Sequence, residues 1–67
     1  MMDAKKIGKK LKKLRGKKSR KEIAEAIGVS VSAISMYELG ERIPKDTVKS
    51  KYAKLFEKSV EDIFFSL

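Results

Sequence analysis

The chain lacks the residue types that most often form disulfides or bind metal ions in a small domain. Its 67 residues contain no cysteine, no histidine and no tryptophan. Disulfides and zinc sites of the cysteine–histidine type are therefore excluded, as is catalysis by a histidine base or a cysteine nucleophile. We expect a fold held together by packing alone, in a protein of the reducing cytoplasm.

Long apolar runs are also missing. No stretch approaches the roughly 20 apolar residues that span a bilayer, and the N-terminal residues lack the apolar centre of a signal peptide. The 67 residues predict one domain, residues 1–67, that buries only about 60% of its unfolded surface. Self-association is one way for so small a chain to gain stability. We interpret the two N-terminal methionines as the start of a complete natural chain, and the alternative is a fragment of a longer one.

Positive charge is abundant and unevenly placed, with a net charge of +8. Residues 1–21 hold eleven lysines and arginines against one acid, which leaves +10, whereas residues 22–67 hold six against eight acids, which leaves −2. This asymmetry indicates a polyanionic partner. The alternatives are a solvated lysine face on a helix and attraction to an anionic membrane. The narrow apolar stripe and the missing aromatic anchor in this segment argue against a membrane.

Apolar residues recur at helical spacing along the chain, which predicts an all-α fold of five helices around one core. Asp3 can cap a first helix over residues 4–15, and Pro44, the only proline, precedes a fourth helix over about residues 45–56. The inward-facing residues would be Ile7, Leu11 and Leu14 in the first helix, Val48, Tyr52, Leu55 and Phe56 in the fourth, and Val60, Ile63 and Phe64 in a fifth helix over about residues 60–65. No segment alternates with period two for long enough to form a strand.

The centre of the chain predicts two short helices joined by a glycine turn. Ser19 and Glu22 form the Ser-x-x-Glu pattern of a capping box at the start of the second helix, and Gly28 fits the left-handed position that ends it. Ser30 can cap a third helix over residues 31–39. The inward residues would be Ile23, Ala24 and Ile27 in the second helix and Ile34 and Tyr37 in the third. This is the sequence form of a helix-turn-helix, which sets one helix into the DNA major groove. The alternative is an αα-hairpin that binds nothing.

These motifs resemble those of the Xre/Cro phage-repressor family of DNA-binding proteins. The resemblance covers about residues 7–65. It rests on LR at 14–15, KEIAEAIGVS at 21–30, SAISMYE at 32–38, GERIP at 40–44 and VEDIFF at 60–65. It implies a five-helix bundle with a helix-turn-helix, the lambda-repressor-like DNA-binding domain, with helix 3 in the major groove of double-stranded DNA. The connector at residues 16–18 is shorter than is usual in the family.

The resemblance places four residues of helix 3 against the base edges, namely Val31, Ser32, Ser35 and Met36. None of them is arginine, asparagine or glutamine, the side chains that make bidentate contacts to guanine or adenine. Val31 and Met36 can pack on thymine methyl groups, whereas the serine hydroxyls discriminate poorly. We expect modest direct readout with a share from DNA shape. The alternative is that Val31 and Met36 belong partly to the core.

Four cations are candidates for holding DNA phosphates, namely Arg20, Lys21, Arg42 and Lys45. Arg20 lies in the first turn of helix 2, where relatives usually carry a polar residue, often glutamine, that touches the DNA. Arg42 and Lys45 lie in the loop after helix 3, which approaches phosphates in relatives. Lys21 would add long-range attraction. The alternative is that these cations are solvent-exposed and bind nothing.

The resemblance also implies two structural contacts. Arg15, at the end of helix 1, is expected to form an ion pair with Glu38, at the end of the recognition helix, and so to fix the angle of helix 3. Relatives pair through their C-terminal ends, for which Phe65 and Leu67 are the candidates here. The alternative for this end is a frayed terminus that contacts no partner.

The expected function is that of a small bacterial or phage transcriptional regulator, most simply a repressor, that binds a two-fold symmetric operator as a homodimer. The alternative is a protein-interaction module such as an antitoxin or a co-regulator, which the uncharged segment 31–36 would also suit. We expect no enzyme, because the chain has no histidine, cysteine, phosphate-binding glycine loop or carboxylate pair in a cleft. We expect no cofactor, no metal, no small-molecule ligand and no membrane contact.

Overall fold

The computed structural model of the chain describes residues 3–66, in which there are five helical segments. They are α1 at Ala4–Arg15, α2 at Arg20–Ile27, α3 at Val31–Glu38, α4 at Asp46–Phe56 and α5 at Glu61–Phe65. No strand occurs in this part of the chain. The predicted all-α fold of five helices is confirmed.

Side-chain caps define where the first two helices begin. The Asp3 carboxylate accepts hydrogen bonds from the backbone N–H groups of Lys5 and Lys6, both at 3.1 Å. In the capping box of α2, the Glu22 N–H donates to Ser19 Oγ at 3.1 Å and the Ser19 N–H donates to the Glu22 carboxylate at 3.3 Å. These bonds satisfy donors that a helix start otherwise leaves without partners. Both helices have the bounds that their caps and spacing predict.

Two boundaries differ by one residue from the sequence prediction. α3 ends at Glu38 rather than Leu39, and α4 begins at Asp46 rather than Lys45. Leu39 and Lys45 are the cap residues that flank these helices, and Lys45 has the extended backbone typical of a helix start. The loop between them therefore comprises residues 39–45.

The last helix is a π-helix, where the apolar spacing predicts an α-helix from Val60. It begins at Glu61, and the Ser66 N–H donates to the Glu61 carbonyl, five residues back, at 2.9 Å. Adjacent Ile63 and Phe64 are both buried, at 0% and 1% exposure. A wider turn brings consecutive side chains closer to one face, which explains why both can enter the core.

One apolar core lies between the helices. Its buried members are Ile7, Leu11, Ile23, Ala24, Ile27, Ala33, Ile34, Tyr37, Val48, Tyr52, Ala53, Ile63 and Phe64. The partly buried Leu14, Val29, Leu55, Phe56 and Val60 pack against them. The ring of Tyr52 lies 6.2 Å from that of Tyr37, 6.0 Å from that of Phe56 and 6.2 Å from that of Phe64, measured between centroids. The inward stripes predicted from spacing are thus the surfaces on which the helices pack.

Two glycines let α1 approach the end of α3 at backbone contact. A Cβ on Gly8 would lie 2.5 Å from the carbonyl oxygen of Glu38 and 2.7 Å from that of Tyr37. Gly40 has a φ of +75°, and a Cβ there would lie 2.9 Å from the Cα of Lys5. Larger residues at either position would push the helices apart. The placement of α3 relative to α1 therefore depends on both glycines.

The hydroxyl of Tyr52 is an unusual feature of the core. It is buried without a hydrogen-bond partner among the described residues. Burial raises the pKa of Tyr52, and the negative charge of Glu38 raises it further. A buried polar group without a partner pays a desolvation penalty that an apolar group of the same shape does not.

Tyr52→Phe is therefore expected to stabilise the protein by about 1 kcal/mol at neutral pH. The gain should grow above about pH 10, because the unfolded chain then releases the Tyr52 proton that the folded chain keeps, and the unsubstituted protein loses stability as the pH rises. Urea unfolding at neutral pH and at about pH 10.5 measures both effects. Tyr37→Phe is the matched control and should show no such gain. A destabilised Tyr52→Phe variant would mean that the hydroxyl is hydrogen-bonded in solution.

Candidate nucleic-acid interface

The helix α3 divides into a buried face and an outward face. The buried residues are Ala33, Ile34, Tyr37 and Glu38. The outward face consists of Val31, Ser32, Ser35, Met36 and the flanking Leu39. The two sets alternate in pairs, as 3.6 residues per turn requires. None of the outward residues is charged, and Val31 and Leu39 are 45% and 56% exposed.

All four residues predicted to read bases lie on this outward face. Val31 and Ser32 are exposed, whereas Ser35 and Met36 are half-buried. The alternative that Val31 belongs to the core does not fit its exposure, while Met36 is partly packed. Leu39 is a fifth member that the sequence analysis missed. Its signal was its position, four residues after Ser35 and three after Met36, which are the spacings of neighbours on one helix face.

A tight turn at residues 28–30 sets α3 against α2. Gly28 has a left-handed backbone with a φ of 84°. The N–H groups of Gly28 and Val29 donate to the Ala24 carbonyl at 2.8 and 3.1 Å. Ser30 then caps α3 by accepting from the Ala33 N–H at 3.0 Å. The buried Ala24 lets the two helices come close, so the turn holds the outward face in a fixed direction.

An ion cluster of two arginines and one glutamate ties α1, α2 and α3 together. Arg15 donates through Nε and Nη2 to the Glu38 carboxylate, at 2.7 and 3.1 Å. Arg20 donates through Nε to the same carboxylate at 3.1 Å. The hydrogen bond to Glu38 raises the pKa of Arg15 although burial opposes it, so this guanidinium stays charged. The Glu38 side chain is 2% exposed, so the two arginines supply the opposite charge that a buried carboxylate needs.

The short connector between α1 and α2 fits this cluster. Arg15 Nη1 donates to the Lys18 carbonyl at 2.8 Å, and the Lys18 N–H donates to the Arg15 carbonyl at 3.1 Å. Gly16 takes a φ of +57° in the same turn. The shortened connector thus closes on Arg15 and leaves its Nε edge directed at Glu38.

Arg20 differs from the other three candidate phosphate-binding residues. Its Nε bonds to Glu38, and its side chain is 35% exposed. Lys21, Arg42 and Lys45 are exposed, and within residues 3–66 no ion pair involves them. Arg20 can meet a phosphate only while sharing its guanidinium with Glu38. No local sequence pattern predicts this contact, because Arg20 and Glu38 are 18 residues apart and meet only in the folded chain.

Lys49 of α4 is a buried cation that lies near two aromatic rings of α5. Lys49 is 7% exposed and donates to the Asp46 carboxylate at 3.4 Å. Its Nζ lies 5.9 Å from the ring centroid of Phe64 and 5.5 Å from that of Phe65. Phe65 is nevertheless 59% exposed. Leu67, the other residue predicted for a dimer contact, lies outside the described residues.

Comparison with known proteins places the chain in a family. A family model described as helix-turn-helix matches residues 4–63. The chain therefore belongs to the Xre/Cro-type helix-turn-helix family of DNA-binding proteins. It is a DNA-binding regulator of this class. No match was found among curated proteins or among solved structures.

Within residues 3–66, no helix is long and apolar enough to cross a membrane. In the same range, no three histidine, cysteine, aspartate or glutamate side chains are placed to hold a metal ion.

Proposed function

We propose that this protein is a small transcriptional regulator, most simply a repressor, of a bacterium or a phage. In this proposal α3 enters the major groove of an operator and the protein acts in the cytoplasm, where bacterial DNA lies. The observation that carries the proposal is the outward face of α3, which is uncharged and partly exposed on a helix that packs against α1 and α2. Blocking a promoter is the simplest mechanism open to so small a domain.

Within this proposal, Val31, Ser32, Ser35 and Met36 face the bases. Lys21, Arg42 and Lys45 hold phosphates. Contacts between such cations and the DNA backbone supply most of the affinity and carry none of the sequence information. Arg20 takes part with the guanidinium that Glu38 orients. The strongly basic chain, with its net charge of +8, favours encounter with DNA over other partners.

We propose further that the active form is a homodimer. A single recognition helix reads few base pairs, and a dimer sets two such helices into major grooves about 34 Å apart on a two-fold symmetric operator. The proposed contact is the exposed ring of Phe65, together with Leu67, two positions further along the sequence. A small domain also gains stability from pairing through such an apolar end.

Selection from a random duplex library at about 150 mM salt tests the function as a whole. An enriched inverted repeat with half-sites about 10 base pairs apart is the expected result. Binding without enrichment would leave a nonspecific basic protein. Absence of duplex binding would favour the protein-interaction module instead, for which the uncharged face of α3 would be the contact surface.

The double variant Lys21→Ala with Arg42→Ala tests the phosphate contacts on the selected site. We expect weaker binding and a salt slope reduced by about 0.9 for each lost contact, or about 1.8 in total. Affinity measured at several salt concentrations gives the slope. Lys54→Ala with Lys58→Ala removes the same charge from the last turn of α4 and the segment that follows it, and should leave most of the slope intact. Equal slopes in the two double variants would show that Lys21 and Arg42 act only through net charge.

A further inference from the structure

The outward face of α3 restricts the base features it can recognise. Its side chains are aliphatic in Val31 and Leu39, a thioether in Met36 and hydroxyls in Ser32 and Ser35. Valine and leucine have no hydrogen-bonding group, and the methionine sulfur is only a weak acceptor. The serines can donate or accept, so each tolerates several bases.

The major groove offers one feature that suits such a face. Guanine and adenine present acceptors and donors that arginine, asparagine and glutamine read best, and none of these residues is on the outward face. Among the four standard bases, thymine alone presents a methyl group in the major groove, at C5 of its ring. 5-Methylcytosine carries the same methyl group at the same ring position.

Leu39 lengthens the apolar part of this face. Val31 and Leu39 are separated by eight residues, which spans about 12 Å along a helix. Met36 lies between the two ends, so the three apolar side chains are spread along the face rather than gathered at one point.

We propose that α3 recognises the C5-methyl group of pyrimidines, so that thymine and 5-methylcytosine are read alike through Val31, Met36 and Leu39. This inference rests on the proposed function, since it requires α3 in the major groove. It adds the class of base that is read, and it makes binding responsive to cytosine methylation. The serine hydroxyls supply hydrogen bonds as well, but a hydroxyl can bond to either an A·T or a G·C pair and so does not discriminate between them.

The test replaces bases in the selected duplex one at a time. Uracil in place of a contacted thymine removes only the methyl group and should weaken binding about fourfold, the effect of one buried methyl group. Changing a contacted T·A pair to C·G should weaken binding similarly. A 5-methylcytosine–guanine pair at that position should restore most of the lost affinity.

Matched variants of the protein assign the effect to the helix. Val31→Ser removes both methyl groups of the side chain, and Val31 is exposed enough for the fold to tolerate this. We expect Val31→Ser to lose the uracil effect at one position of each half-site, and Val31→Ile to keep it. Leu39→Ala should lose the uracil effect at a different position of each half-site.

The outcomes separate this inference from the proposed function. Specific binding with an undiminished salt slope but no response to uracil at any thymine would overturn methyl recognition while leaving DNA binding intact. A response to uracil that Val31→Ser, Leu39→Ala and a Met36→Ser variant all retain would overturn the assignment to this face. Failure of the unsubstituted protein to bind any duplex would instead contradict the proposed function itself.

Discussion

Replacing Glu38 with glutamine is expected to lower the free energy of unfolding by about 3–5 kcal/mol. The carboxylate is 2% exposed and accepts hydrogen bonds from Arg15 and Arg20. An amide carries no charge, so the substitution leaves two guanidinium groups facing a neutral side chain. Without this one anion, the two positive charges of the cluster have no counter-charge. The resulting loss of stability is far larger than that caused by removing an exposed ion pair.

Urea unfolding followed by far-UV circular dichroism measures this effect. A domain of 67 residues has a total stability of roughly 3–10 kcal/mol, so much of the Glu38→Gln protein should be unfolded without denaturant. Glu25→Gln makes the same chemical change at an exposed site on α2 and should stay within about 0.5 kcal/mol of the original protein. Equal stabilities of the two variants would show that the cluster is not buried in solution.

The two arginines should contribute unequally to the same cluster. Arg20→Met leaves both bonds from Arg15 to Glu38 and should cost only about 1 kcal/mol, because Arg20 is the more exposed partner. Arg15→Met should cost more, since it also removes the bond to the Lys18 carbonyl. Arg15→Met combined with Glu38→Leu should be less destabilising than Glu38→Gln alone, because an apolar pair replaces stranded charge.

The features of the fold that depend on near neighbours were predictable from the sequence. The caps at Asp3 and Ser19 bond to residues two or three positions away, and apolar spacing sets the inward faces of α1 and α2. The π-turn of α5 was not predictable in this way. It depends on Ile63 and Phe64 finding a shared place in a core built by the other helices, whereas their spacing alone is equally compatible with an α-helix.

The same distinction, between features set by near neighbours and features set by distant contacts, applies to the candidate site. The four predicted members of the outward face follow from helical periodicity once Ile34 and Tyr37 are assigned to the core. The link between Arg20 and Glu38 follows from no local rule, because it requires the angle between α2 and α3. Lys49 is similar, since a lysine in an amphipathic helix is ordinarily assigned to solvent, yet here it lies against the rings of Phe64 and Phe65.

Gly8 was also missed, although a lone glycine inside a helical pattern is itself a signal of close approach. Its missing side chain leaves room for the carbonyl groups of Tyr37 and Glu38. These are backbone atoms at the end of α3, so they cannot rotate away as a flexible side chain can. Any residue larger than glycine must therefore move one helix as a whole.

Gly8→Ala is expected to destabilise the protein by about 2 kcal/mol, the usual effect of overpacking a well-filled contact. The predicted loss of stability is opposite in sign to the usual effect, because a glycine-to-alanine change inside a helix otherwise stabilises by about 1 kcal/mol. Thermal unfolding should show a Tm lowered by about 10 °C, given the 4–8 °C that each kcal/mol shifts a domain of this size. Lys9→Ala, at the next and exposed position of α1, should leave the Tm nearly unchanged.

The same substitution connects packing to function. Because Gly8 abuts the carbonyl groups that end α3, an alanine there displaces the helix that the proposed interface presents to DNA. The folded fraction of Gly8→Ala should therefore bind the selected operator more weakly, with little change in salt slope, since no phosphate contact is removed. A Tm raised by Gly8→Ala would show that α1 and α3 do not touch at this point. A lowered Tm with unchanged affinity would show that the displaced helix is α1, with α3 held in place by α2 and the turn at residues 28–30.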